Sequence, residues 1–327
     1  ITMEDQVNLS NIIISGQVAD GNLSLLLKSL LAVTYERTAD TAAVSYYNRS
    51  EALRLKRASG SVRDMGAVID SLICPDYRYS PYKSAGHLHD DTFEKAAALF
   101  DEMSEKMNDG VLVLVGDMDE SKVRKVLARY VGGFKTREIA FSRTNVQYQP
   151  VSGCMTYNVK GNRDAVVVAM SARLPMTSEN YMAADIAAMY LKHMMRREMD
   201  SLAGTVEVSH SRRIYPEDRF SVLMVVEGNA PAHELLREVR HVLLKAGQEQ
   251  PDNAFMSAAK AYCKNLYDID TKDPSYWLHA IAMRYLDGKD FTTGGASKID
   301  AVTSAKVCDI LESLGQGSKV EYVINKR

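Results

Sequence analysis

Apolar and polar positions follow two rhythms along this chain, and the rhythms recur in the same order. Asn11–Gly16 carries a run of isoleucines, and the amphipathic stretch Leu23–Val33 follows it. Ser221–Val226 is a second apolar, valine-rich run, followed by the amphipathic stretch Ala232–Leu244. Short β-branched runs predict strands, and apolar spacings of three and four predict helices. One offset relates the pairs: Ile13 to Leu223 is 223 − 13 = 210, and Leu25 to Leu235 is 235 − 25 = 210. The same offset continues downstream. Asp64-Met65 opens the apolar-periodic segment Gly66–Ile73, and Asp273-Pro274 opens Tyr276–Tyr285. Thr92 heads a helix pattern through Ala96, Leu99, Phe100 and Met103, and Thr303 heads one through Val307, Ile310, Leu311 and Leu314 (303 − 92 = 211). Each then runs into a predicted short strand, Val111–Val115 and Val320–Ile324. Five elements in one order at nearly one spacing predict a duplicated unit rather than two unrelated segments of similar rhythm.

The second copy begins earlier than the first. Met155–Val159 and Asp164–Ala172 read as strands, Ser178–Ser201 as a long helix, and Thr205–His210 and Arg219–Val226 as strands. Shifted back by 210, the block Gly153–Glu217 falls at −57 to 7, so the first copy is expected to be N-terminally truncated. Phe141–Ser152 lacks periodicity and reads as a linker. The expected organisation is a truncated first repeat over 1–140, a linker over 141–152 and a second repeat over 153–327. Helices cluster after strands instead of alternating with them. This predicts an α+β fold: two homologous domains, each a mostly antiparallel sheet with helices on one face. An incomplete sheet would expose an edge or an apolar face, so the chain should form a homodimer or bind the missing half.

Asp117-Met118-Asp119-Glu120 precedes a helix pattern over Ser121–Tyr130, and Thr177-Ser178-Glu179 precedes the long helix; both suit N-capping. The stripe Met182, Ile186, Met189, Tyr190 and Met194 reads as core packing. Composition changes this picture little. A chain of 327 residues with 46% apolar residues can build about two cored domains. A net charge of 40 − 42 = −2 supplies no field for nucleic acid or anionic membrane. Apolar runs such as Leu25–Leu27 and Leu30–Val33 are interrupted by Lys28 and Ser29, so no membrane span is expected. Cys74, Cys154, Cys263 and Cys308 are too scattered for a disulfide framework.

The seven histidines include neither HExxH nor HxxEH, the spacings that set two imidazoles on one helix face around zinc. His87-Leu88-His89-Asp90-Asp91 is the one cluster, and it reads as a solvated loop with capping aspartates. There is no Gly-x-Ser-x-Gly elbow or phosphate-binding glycine loop. Gly294-Gly295-Ala296-Ser297-Lys298 reads as a turn. No metal site, and no catalytic group acting alone, is expected in this chain.

Val113-Leu114-Val115-Gly116-Asp117 with Met118-Asp119, leading into a helix, resembles the end of a domain of the pitrilysin/insulinase (mitochondrial processing peptidase-like) zinc metallopeptidases. Ser80-Pro81-Tyr82 followed by Thr92-Phe93 is similar to that family's Pro-Tyr … Thr segment, and Tyr276-Trp277 and Ile299–Thr303 fit its later helices. Arg197-Glu198 with Gly204-Thr205 resembles the Arg-Glu-x-x-Gly-Gly-Thr-Tyr segment of its second half. The resemblance implies two halves enclosing a chamber, zinc held by HxxEH in the first half, and an Arg and a Tyr of the second half on the substrate backbone. This chain resembles the second, zinc-free half. Its partners would be a peptide or unfolded protein and a zinc-bearing half, in the same polypeptide or in a separate subunit. Arg197 and Thr205 are the implied substrate-binding residues. Val206 stands where the family has Tyr, and Arg197 to Val206 is nine positions rather than seven. That departure also fits a catalytically inactive scaffold or assembly subunit of the same fold. Exported bacterial relatives imply a periplasmic location.

Overall fold

The β-branched run near residue 168 becomes the middle strand of a five-stranded sheet. The computed structural model describes residues 2–7, 12–18, 22–36, 40–58, 73–74, 92–105, 110–134 and 148–326. The chain divides into two units, one of Ile1–Lys56 with Lys83–Thr144 and one of Arg57–Tyr82 with Asn145–Arg327.

In the second unit the sheet contains β3 (Cys154–Gly161), β4 (Ala165–Arg173), β5 (Ala203–Arg213), β6 (Arg219–Gly228) and β7 (Ser318–Lys326), in the order β3-β7-β4-β6-β5. All pairs are antiparallel except β3 with β7. Residues 165–172 of β4 are all buried, as expected of a strand with neighbours on both edges and cover on both faces. Helices α5 (Ser178–Met199), α6 (Ala232–Gln248), α7 (Asn253–Asp270), α8 (Pro274–Asp287), α9 (Gly295–Ala301) and α10 (Ser304–Gln316) follow or separate the strands.

Alternation along the strands divides the packing. Val166, Val168, Met170, Phe220, Met224 and Val226 join Ile186, Met194, Met195, Leu235 and Val239 in the main, helix-covered core. Ala165, Val167, Ala169, Val225, Val320 and Ile324 form a smaller core on the other face with Ile73. Ile186, Tyr190 and Met194 are buried and Met182 and Met189 pack partly buried on the same core, so the methionine stripe of α5 is core packing. Thr177 Oγ1 accepts from Asn180 N at 3.2 Å and caps α5. Thr303 does the same for α10. Asp273 caps α8, with Pro274 in its first turn and Gly288 left-handed at φ 65° beyond its end.

The first unit contains the antiparallel pair β1 (Thr2–Val7) and β2 (Ile12–Gln17), then α1 (Leu23–Tyr35), α2 (Thr41–Ala58), α3 (Thr92–Ser104) and α4 (Glu120–Tyr130). Its order of two paired strands followed by helices is the order from β5 through α10 of the second unit. Asp119 Oδ1 accepts from Ser121 N at 2.9 Å and Lys122 N at 3.2 Å, so this acidic run caps α4. The hydrogen bond from the Ser121 side chain leads those that hold its carboxyl below the ordinary value.

Val111–Val115 was expected to be a strand, but it joins no ladder among the described residues. Its counterpart β7 is held between β3 and β4, whereas among the described residues no strand flanks 111–115. Without neighbours, an alternating run has no ladder to complete. Most of Gly66–Ile73, Ser80–Tyr82, His87–Asp91 and most of the expected linker lie outside the described residues. Ile73 is described, and it packs in the second unit: its carbonyl accepts from Val151 N at 2.7 Å.

Candidate functional site

The last turns of α5 and the open edge of the sheet bring together the groups best placed to meet a ligand. Among the described residues the strand paired with β5 is β6. Helix α5 runs alongside it, and a charged cluster pins the two at one end. Arg212 Nη1 donates to Asp185 Oδ2 at 2.7 Å and to the Tyr181 carbonyl at 3.1 Å. His210 Nε2 lies 2.7 Å from Asp185 Oδ1. The Arg212 guanidinium also stacks 3.6 Å from the Tyr181 ring centre, and that ring stacks on Phe291 at 4.1 Å.

Toward the other end of α5 a groove of about 310 Å³ wraps the β5 edge. Lys192 and Arg196 of α5 line it with Val206 and Val208, and from the opposite face Leu223 and Val225 line it with Glu207 and Ser209. Lys192 and Arg196 lie one helical turn apart and therefore share a face. Neither has an ion pair or hydrogen bond among the described residues.

Arg197 lies in the final turn of α5, half exposed. Its Nε and Nη2 donate to Glu198 Oε1 at 3.0 and 2.6 Å. Lys245 Nζ donates to the same oxygen at 2.9 Å. The Lys245 bond, followed by that of Arg197, holds the Glu198 carboxyl below its ordinary value. Nη1 of Arg197 has no partner among the described residues, so it can donate to an incoming carbonyl. Thr205 is exposed on β5 opposite Glu227, next to a register shift between Ala203 and Thr205. No hydrogen bond or ion pair joins Arg197 and Thr205. Val206 turns to the helix side and packs partly buried on the main core, where it presents no hydroxyl.

Sequence reading missed Lys192, Arg196 and the Asp185–His210–Arg212 cluster. The i, i+4 basic pair was legible, but its relation to a strand edge was not. The four cysteines form no disulfide, and burial pushes the Cys263 thiol up to about 11. Among the described residues no three of His, Cys, Asp and Glu converge as a metal site would need. They therefore do not fit a zinc ion. Among the described residues no helix is long and apolar enough to cross a membrane.

No family model and no curated protein matches this sequence. Solved structures do match it, and they define the class: an α+β chain with the architecture of the M16 peptidases. The periplasmic protease PqqL of Escherichia coli superposes on 100% of this chain with a TM-score of 0.83 at 16% identity. An M16 inactive domain from Pseudomonas fluorescens covers 100% of it with a TM-score of 0.73 at 12% identity. Pitrilysin covers 99% at 0.67 and 11%. The chain spans 37% of PqqL, 36% of pitrilysin and 81% of the inactive domain. At these identities the likeness is one of fold.

Proposed function

We propose that this chain is the non-catalytic, substrate-enclosing half of a zinc metallopeptidase, acting on peptides or unfolded proteins together with a zinc-bearing half. The observation that carries the reading is the full-length fold match to a chain nearly three times as long, PqqL, and to an inactive M16 domain. In this reading Arg197 offers its unpartnered Nη1 to a substrate carbonyl, and Thr205, exposed on β5, is the second proposed contact. A guanidinium there positions the peptide backbone, and chemistry on the scissile bond falls to the other half. The first unit is read as one α+β repeat joined by residues 141–152 to a second. The periplasm is the proposed location, by analogy with PqqL.

The test measures zinc content and casein hydrolysis for this chain and for a product extended upstream of Ile1. Zinc and chelator-sensitive hydrolysis in the longer product alone support the reading. Chelator-sensitive hydrolysis by this chain alone refutes it. The packed, hydroxyl-free Val206 favours a second reading, a scaffold subunit of the same fold. That reading expects no peptide binding in calorimetry at saturating concentrations.

A further inference from the structure

We propose that Lys245 is a positioning residue for Arg197: it holds Glu198 where Glu198 fixes the Arg197 guanidinium, so that Nη1 is presented to a peptide carbonyl. The inference rests on the functional reading above for the role of Arg197; the clamp itself stands on geometry within this chain.

Four alternating charges close a ring at the ends of α5 and α6. Arg197 Nη2 lies 2.6 Å from Glu198 Oε1, and Lys245 Nζ lies 2.9 Å from the same oxygen. Glu249 closes the ring, with Oε1 3.8 Å from Lys245 Nζ and Oε2 3.9 Å from Arg197 Nη2. Arg197 and Glu198 are neighbours in sequence, and side chains at i and i+1 of a helix do not face each other. A pair at that spacing needs a third group to draw the carboxylate into place. Lys245 is that group, reaching across from the last turn of α6, where a cation also suits the helix dipole. Its side chain is 28% exposed and that of Glu198 23%, against 50% for Arg197, so the Lys245–Glu198 half of the ring is the less screened. The backbone behind the ring is fixed as well. Glu249 N donates to the Lys245 carbonyl at 2.8 Å, and the Glu249 carbonyl accepts from the hydroxyl of buried Tyr190 at 3.2 Å. With Nε and Nη2 both on Glu198, the guanidinium has one orientation and Nη1 is the group left over. An arginine fixed beforehand loses less rotamer freedom on meeting a carbonyl than one that is free, so the clamp favours binding.

The test compares Lys245→Met, which keeps an unbranched stem and removes the ammonium, with Lys245→Arg, which restores a donor. In this chain, exchange of the Arg197 Nε–H with water is read by nitrogen-15 NMR, the signal being assigned by its loss in Arg197→Ala. Exchange should quicken about threefold or more in Lys245→Met and return toward the parent in Lys245→Arg. In the zinc-bearing product extended upstream of Ile1, Lys245→Met should lower kcat/KM about threefold or more, and should add nothing in the Arg197→Ala background. A merely structural lysine would lower both backgrounds alike. Unchanged Nε–H exchange in Lys245→Met overturns the proposal, as does a kinetic loss that persists undiminished without Arg197. A loss from Arg197→Ala with none from Lys245→Met also overturns it and leaves the substrate contact standing. Faster exchange in Lys245→Met with no loss from Arg197→Ala keeps the clamp and removes Arg197 from the substrate contact. An extended product without hydrolysis removes the peptidase reading, and the exchange rate then decides the clamp.

Discussion

Replacing Arg240 by Ala should destabilise the second unit in a pH-dependent way, because it strands Glu321. Glu321 is 1% exposed in β7. Arg240 Nε and Nη2 donate to its two oxygens at 3.0 and 2.5 Å, and Thr156 Oγ1 donates to Oε2 at 2.8 Å. Burial pushes the Glu321 carboxyl up, but these bonds outweigh it and hold it below its ordinary value. Removing one partner of a buried ion pair costs about 3–5 kcal/mol. Arg240 is 51% exposed and the Thr156 bond remains, so about 2 kcal/mol is the expected loss at neutral pH. The sign with pH follows from linkage. In the parent the folded carboxyl titrates below the unfolded one, so its contribution is present above the unfolded value and fades as pH falls. In the variant burial dominates and the folded carboxyl titrates above the unfolded one, so stability falls as pH rises through that range. The difference between parent and variant should therefore be largest at neutral pH and shrink toward about pH 4. Urea unfolding followed by Trp277, the single tryptophan, reads the second unit. Adding Glu321→Gln to the variant should restore part of the loss. An unchanged midpoint at neutral pH, or a loss that does not vary with pH, would show that Arg240 is not what compensates the buried charge.

Three further outcomes are expected. Gly228→Ala would drive a Cβ into the Leu202 carbonyl oxygen and to 2.8 Å from Leu235, so denaturant unfolding should show a loss of about 1–3 kcal/mol. Thr177→Ala removes the cap of α5 and should cost about 1 kcal/mol by the same assay, with Thr177→Ser close to the parent. Arg197→Ala should change stability by less than about 1 kcal/mol, since its ion pair is half exposed, and under the proposed function should lower kcat/KM of the extended, zinc-bearing product; unchanged kinetics would remove Arg197 from the substrate contact.

What could be read from the chain depended on whether a residue's environment is set along its own element. The strands 165–173 and 219–228 and helix 178–199 were legible because one side of each meets a core. Helix α7 was not read from the chain: of its apolar residues Met256 and Ala259 are buried, but Tyr262, Leu266 and Ile269 lie exposed. Val111–Val115 has the alternation of a strand without the neighbours. The β5 groove was hidden for a related reason. Periodicity marks 205–210 as extended, but its position at a sheet edge follows from the strand order, which no single segment encodes. Arg197 and Thr205 came from resemblance to a motif, whereas Lys192 and Arg196 emerged only when α5 was set beside β5.

Strand β7 has a bearing on how this chain is made. Of the five strands of its sheet it is the last to be made, yet it sits between β3 and β4, parallel to one and antiparallel to the other. Until residues 318–326 emerge, β4 has an open edge and β3 has no neighbour in the sheet. About 150 residues separate β4 from β7 along the chain, so closing the sheet is a late, long-range step. During translation the nascent second unit exposes a valine-rich edge for the whole of that interval, which makes it a natural client for chaperones that shield unpaired strands.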